Sequence, residues 1–99
     1  MTPAGKLQKY LRERVEALGG QYRKAKWDGR VGCPDCYVWL ENGVYAWIEI
    51  KAPGDRVSAV QKQEMARMTG AGLWVFTAKT EGDIDVILGE LCAVVLGAP

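Results

Sequence analysis

Histidine is absent from the 99 residues. That removes the Ser-His-Asp and Cys-His nucleophile systems and every zinc site that uses an imidazole. Cysteine is scarce and odd in number, at three, which argues against a secreted disulfide framework. No apolar run reaches the roughly 18–20 residues of a membrane span. The opening MTPAGKLQKY holds no apolar stretch of signal-peptide length. The expectation is a cytoplasmic protein with no membrane association. Repeats and low-complexity tracts are also missing. What remains is ordinary globular composition, 48% hydrophobic and 25% charged, in a chain long enough for one core. A single domain over residues 1–99 is expected.

The net charge of +1 conceals an asymmetry. Residues 1–30 carry eight basic side chains against three acidic, a surplus of five. Residues 31–99 carry five basic against nine acidic, a deficit of four. A basic first third suits a phosphate backbone, and equally a solvated helix and loop. An acidic remainder can hold a cation.

Leu7, Leu11, Val15 and Leu18 step by four, four and three, which predicts a helix over about residues 4–18, stopped by Gly19-Gly20. Gln21 to Trp27 reads as a short strand, and Asp28-Gly29 as a turn. Tyr37–Leu40 and Val44–Ile50 are two runs of strand formers around Glu41-Asn42-Gly43, which predicts a hairpin. Ser58 and Gln61 form a capping box for a helix ending near Gly70. Leu73–Phe76 reads as a buried strand, and Asp83 caps a last helix to Leu96. The order is helix, three strands, helix, strand, helix, which predicts an α/β fold around a mixed sheet.

Glu49 and Lys51 share one face of the third strand, with Trp47 and Tyr45 behind them, while Ile48 and Ile50 take the other. A strand end reaching solvent would explain such a pair. Asp35 offers a second explanation that depends on hairpin register. A two-residue Asn42-Gly43 loop pairs Glu41 with Val44 and sets Asp35 opposite Ile50, on the wrong face. A three-residue loop with Gly43 left-handed pairs Leu40 with Val44 and sets Asp35 opposite Glu49. The sequence permits both, and the second is preferred here. Opposed residues then have Cβ atoms about 4.5–5.5 Å apart, and two carboxylates so close repel unless a cation lies between them. Oxygen ligands of this kind suit Mg²⁺ or Mn²⁺. Lys51 on the same face could polarise a water or stabilise charge on a phosphoryl group.

Gly19-Gly20, Lys24, Gly32-Cys33-Pro34-Asp35, Glu49-Ile50-Lys51, Pro53, Ser58 and Gln61, in that order, resemble the motifs of the PD-(D/E)XK nuclease superfamily. More narrowly they are similar to the virus-type replication-repair nuclease (VRR-NUC) domain in its small standalone form, over about residues 4–90. The resemblance implies a restriction-endonuclease-like fold and Mg²⁺- or Mn²⁺-dependent cleavage of DNA. It implies that Asp35, Glu49 and the carbonyl of Ile50 bind the metal, that Lys51 orients the attacking water, and that Gln61 lies beside the site. Lys24, Lys26 and Arg30 become candidate DNA contacts, and Lys24 is equally a plain surface lysine. Many relatives carry a first-helix glutamate at the metal site. The corresponding positions here, Ala4 or Gln8, are not acidic, so one firmly bound ion is expected, with Gln8 as the possible first-helix contributor. Small standalone relatives resemble Holliday-junction resolvases, act as homodimers and are often phage- or prophage-encoded. A branched-DNA substrate and a homodimer are therefore expected, with the Trp39–Trp47 hairpin and the Cys92–Leu96 run as interface material. A catalytically weak DNA-binding module of the same fold is the alternative.

Cys33-Pro34-Asp35-Cys36 is also a C-x-x-C, which suggests a thiol redox pair or half a zinc site. It leads into a strand rather than a helix N-terminus, and one further cysteine cannot complete a four-ligand site. Idle thiols are the expectation. Trp39, Trp47 and Trp74 are expected in the core, and Trp27 either packs or stacks on nucleic acid.

Overall fold

The computed structural model describes residues 1–97, so the last two residues of the expected single domain lie outside it. Thr2 caps the first helix by accepting from the Gly5 amide at 3.0 Å, and α1 runs Pro3–Ala17. Of its expected apolar stripe, Leu7, Leu11 and Val15 are buried, whereas Leu18 falls one residue past the helix as its C-cap and is 41% exposed. The paired glycines have separate jobs. Gly19 takes a left-handed φ of 80° after the helix. Gly20 lies against the next layer, where a Cβ would fall 2.3 Å from the carbonyl oxygen of Trp39.

Four strands follow the expected order: β1 (Gln21–Lys24), β2 (Cys36–Trp39), β3 (Tyr45–Ile50) and, after α2 (Ala59–Gly70), β4 (Val75–Ala78). They form one mixed sheet in the order β1-β2-β3-β4, antiparallel except for the parallel β3–β4 pair. The last helix, α3, runs Glu81–Val95. The helix and strand order expected from sequence is the order observed.

One face of the sheet carries Cys36 and Val38 of β2 and Ala46, Ile48 and Ile50 of β3. Against it pack α1 and the Ile84, Ile87, Leu88 and Leu91 stripe of α3, making one core. The opposite face carries Tyr37, Trp39, Trp47, Glu49 and Thr77. There α2 lies against β4 and reaches Glu49 of β3 through Gln61.

Several details differ from expectation. The fourth strand begins at Val75 rather than Leu73, because its ladder to β3 starts at Trp47↔Val75 and runs on to the buried Ala78. Trp74 therefore precedes the strand and is 41% exposed rather than core. Trp39 and Trp47 are half-buried on the face that α1 and α3 leave open. The cap of α3 is Thr80, which accepts from the Asp83 amide at 3.0 Å, while Asp83 accepts from the Lys79 amide at 2.8 Å. The β2–β3 turn combines both hairpin options. Asn42 and Gly43 are left-handed, at φ 60° and 72°, and the Val44 amide closes on the Glu41 carbonyl at 3.2 Å. Yet Leu40 donates to the Val44 carbonyl at 2.8 Å, so Glu41 is an extra residue and the three-residue register holds.

Candidate active site

That register decides the site. Cys36 pairs with Ile48, so Asp35 falls opposite Glu49 one step further along. The two residues then bind each other's strands. The Asp35 amide donates to Glu49 Oε1 at 3.0 Å, and the Ile50 amide donates to Asp35 Oδ2 at 2.8 Å. Both carboxylates are thereby fixed from the backbone, on one sheet face, at the C-terminal end of β3.

Glu49 is fully buried, with 0% exposure. A carboxylate without water is costly unless every oxygen finds a donor. Oε1 has the Asp35 amide. Oε2 accepts from Gln61 Nε2 at 2.7 Å and from Lys51 Nζ at 2.9 Å. Burial still pushes the Glu49 carboxyl above its ordinary range, against the Lys51 hydrogen bond that lowers it, and the Asp35 charge raises it further. The hydrogen bond to Glu49 in turn raises the Lys51 ammonium. Lys51 accordingly stays charged: it can donate hydrogen bonds and offset negative charge, but it is a poor proton acceptor.

Gln61 has two duties. Its Oε1 accepts from the Ser58 amide at 3.2 Å while the Gln61 amide donates to Ser58 Oγ at 3.1 Å, the capping box expected from sequence. The same side chain reaches Glu49 through its other end. Formation of α2 is thus coupled to the position of a buried carboxylate.

The remaining candidates are dispersed. Lys24 pairs with Cys36 and so faces the helix-covered side, exposed at its rim, whereas its neighbour Arg23 shares the face of Asp35 and Glu49. Lys26 is exposed. Arg30 binds the buried Glu64 through Nε at 2.9 Å and through a guanidinium nitrogen, and Arg67 joins them at 2.7 Å. The loop leading to Asp35 is pinned to α2 by this cluster. Gly32 lies so close that a Cβ would stand 2.7 Å from Glu64 Cγ. Sequence reasoning missed Glu64, although it follows Gln61 by three residues and so shares its helix face. Gln8 is half-buried on α1, and among the described residues no hydrogen bond joins it to Asp35, Glu49 or Lys51.

Two carboxylates and the Ile50 carbonyl are hard oxygen donors, the chemistry that Mg²⁺ and Mn²⁺ select. The two carboxylates, Asp35 and Glu49, lie together and have the chemistry such an ion takes. No cluster of three or more His, Cys, Asp or Glu suited to a metal occurs among the described residues. Cys36 is buried, donates to the Ile48 carbonyl at 3.4 Å, and has its thiol pushed up to about 12 by burial. Burial raises Cys33 as well. Protonated thiols of this kind are weak nucleophiles and weak metal ligands. Among the described residues no helix is long and apolar enough to cross a membrane.

Comparison with known proteins agrees with the motif reading. The family description "VRR-NUC domain" matches residues 5–81. The chain is 35% identical over 82 residues to a protein named "Putative nuclease p44" of Acyrthosiphon pisum secondary endosymbiont phage 1, covering 83% of this chain and 87% of that one. A solved structure described as a VRR_NUC domain superposes with a TM-score of 0.85 at 36% identity, covering 90% of this chain and 97% of the other.

Proposed function

The chain belongs to the VRR-NUC family and is a nuclease by that membership, and from this premise we propose that it hydrolyses DNA phosphodiester bonds with the help of one divalent cation held by Asp35, Glu49 and the Ile50 carbonyl. One observation carries the reading. A carboxylate with 0% exposure is set by the backbone against a second carboxylate, with an ammonium 2.9 Å away on the same face. A purely structural role would be better served by an apolar residue, since burying an ion pair costs about as much as its attraction returns.

The chemistry follows from the charges. A bound Mg²⁺ or Mn²⁺ would act as a Lewis acid toward the phosphodiester and lower the pKa of water. Asp35 and Glu49 supply the negative charge that holds it. Lys51, kept as an ammonium, orients the water and offsets the charge that develops on the phosphoryl oxygens. The new bond joins the water oxygen to phosphorus, the bond from phosphorus to one nucleoside oxygen breaks, the attacking water gives up a proton to solvent, and the leaving oxygen takes a proton from solvent water to depart as a hydroxyl. Gln61 holds Glu49 in place from α2.

Branched DNA and a two-fold homodimer complete the proposal. One chain carries one Asp35–Glu49–Lys51 site, and paired cuts at a junction need two sites at fixed separation. Exposed apolar side chains support such an interface at the end of the sheet away from the site: Tyr45 at 39%, Trp74 at 41%, Val94 at 39% and Leu96 at 87%. The one-domain reading over 1–99 belongs to the same proposal.

The test is a cleavage panel of four-way junction, flap, single strand and linear duplex in Mg²⁺, Mn²⁺ and EDTA, with light scattering on the same sample. Cation-dependent cleavage that favours the junction, by a particle of twice the chain mass, is expected. Cleavage that persists in EDTA would overturn the metal reading. A monomer that cuts linear duplex equally well would overturn the dimer and junction reading.

A further inference from the structure

The face that carries Asp35 and Glu49 continues into a row of aromatic rings. Along β2, Asp35 is followed on the same side by Tyr37 and Trp39, and along β3, Glu49 is preceded by Trp47 and Tyr45. The register pairs Tyr37 with Trp47 and Trp39 with Tyr45. The rings touch in sequence. Trp39 and Tyr37 centroids lie 5.7 Å apart, Tyr37 and Trp47 5.2 Å, and Trp47 meets Trp27 of the preceding loop edge-on at 6.0 Å. The row runs about 13 Å from the carboxylates at the usual strand rise.

Hydrophobic burial does not account for the row. The core lies on the other side of the sheet, and on this side α2 lies against β4 and reaches Glu49 of β3 through Gln61. Tyr37, Trp39 and Trp47 remain half-buried. Its far end is cationic: the Arg23 guanidinium stands 5.0 Å above the Trp39 ring, held by the Gln21 side chain and the Tyr22 carbonyl. Lys26 is exposed on the loop that follows β1. Aromatic faces flanked by fixed cations are what unpaired nucleotides require, because bases stack on rings while basic groups track the phosphates. A paired duplex hides its base faces and cannot use the rings.

We propose that the Trp39–Tyr37–Trp47–Trp27 row, with Arg23, is a stacking surface for unpaired nucleobases that lead into the Asp35–Glu49 site. This deepens the nuclease reading and rests on it, since it gives a physical source for preference toward DNA with melted or branched segments. A second copy of the chain is the rival occupant. Charge favours nucleic acid, because two identical faces would bring the Arg23 guanidinium against its own counterpart.

The test compares three probes in Ca²⁺: an oligothymidine strand, an abasic strand of the same length, and a blunt duplex. Trp39→Leu keeps an apolar residue on the strand and removes a ring. It should weaken the base-bearing strand about tenfold and leave the abasic strand and the duplex unchanged. Should the variant fail to fold by circular dichroism, the wild type answers alone: its tryptophan fluorescence should be quenched more by the base-bearing strand than by the abasic one at equal occupancy. Equal loss on all probes, no loss on any, or equal quenching would overturn the proposal, as would conversion of a dimer to monomers without a base-dependent change. Cleavage of junction, single strand and duplex by wild type in Mn²⁺ is measured in parallel. No cleavage of junction, single strand or duplex would overturn the nuclease reading, while the base-dependent binding stands or falls separately.

Discussion

Replacing Gln61 tests how the second helix and the buried carboxylate support each other. In Gln61→Ala, Ser58 loses the acceptor for its amide, and Glu49 Oε2 loses a donor at 2.7 Å, keeping only Lys51. A capping contact is worth about 1 kcal/mol. A hydrogen bond to a charged group is worth about 1.5–3 kcal/mol. Gln61→Ala should therefore lose about 2.5–4 kcal/mol, or about 10–30 °C in Tm for a domain of this size. Ser58→Ala removes only the cap and should cost about 1 kcal/mol. In the double variant the two losses should sum to less than their separate values, since the capping box is reciprocal. Thermal melts in EDTA, free of any contribution from bound cation, provide the four numbers. If Gln61→Ala costs no more than Ser58→Ala, the Glu49 contact contributes nothing and the coupling argument is wrong.

Three further outcomes follow from the same geometry. Changing Cys33 and Cys36 together to Ala should leave cation-dependent cleavage within about twofold of wild type, and elemental analysis should find no stoichiometric zinc; loss of tightly held zinc with these changes would contradict the account. The raised Glu49 carboxyl gives a pH signature: measured against Glu49→Gln in EDTA, wild type should lose stability as pH rises from below the ordinary glutamate range through the raised value, and the gain in Tm on adding Mn²⁺ should grow over that same window. Gly32→Ala should destabilise by more than about 1 kcal/mol, because φ is +96° and the new methyl would press on Glu64, so a melt unchanged from wild type would exclude the packing described.

Local chemistry made much of this molecule legible. The 3.6-residue spacing of Leu7, Leu11 and Val15 and the Ser58–Gln61 box foretold two helices because both signals act within a turn or two. The order of elements gave the mixed sheet. Asp35, Glu49, Lys51 and Gln61 come together through side chains that strand alternation and one helix start already align. Long-range facts were hidden. The hairpin register hung on one extra residue, Glu41, which leaves no mark in an Asn-Gly turn. Leu73-Trp74 read as strand because the pair is apolar, yet pairing with β3 begins at Val75 and leaves Trp74 largely outside. Arg30 looked free for phosphate because its partner, Glu64, lies 34 residues away. The aromatic row was invisible as a row, since alternation alone does not say which face the helices leave bare.

On the proposed reading, Asp35, Glu49 and Lys51 form one cation-dependent cleavage site. Single-turnover cleavage of junction DNA in Mn²⁺, run on wild type and on Glu49→Gln at matched folding, tests it most directly. Wild type is expected to cut in Mn²⁺ and not in EDTA, and Glu49→Gln to bind the DNA at least as tightly without cutting. Turnover by Glu49→Gln at the wild-type rate would contradict it.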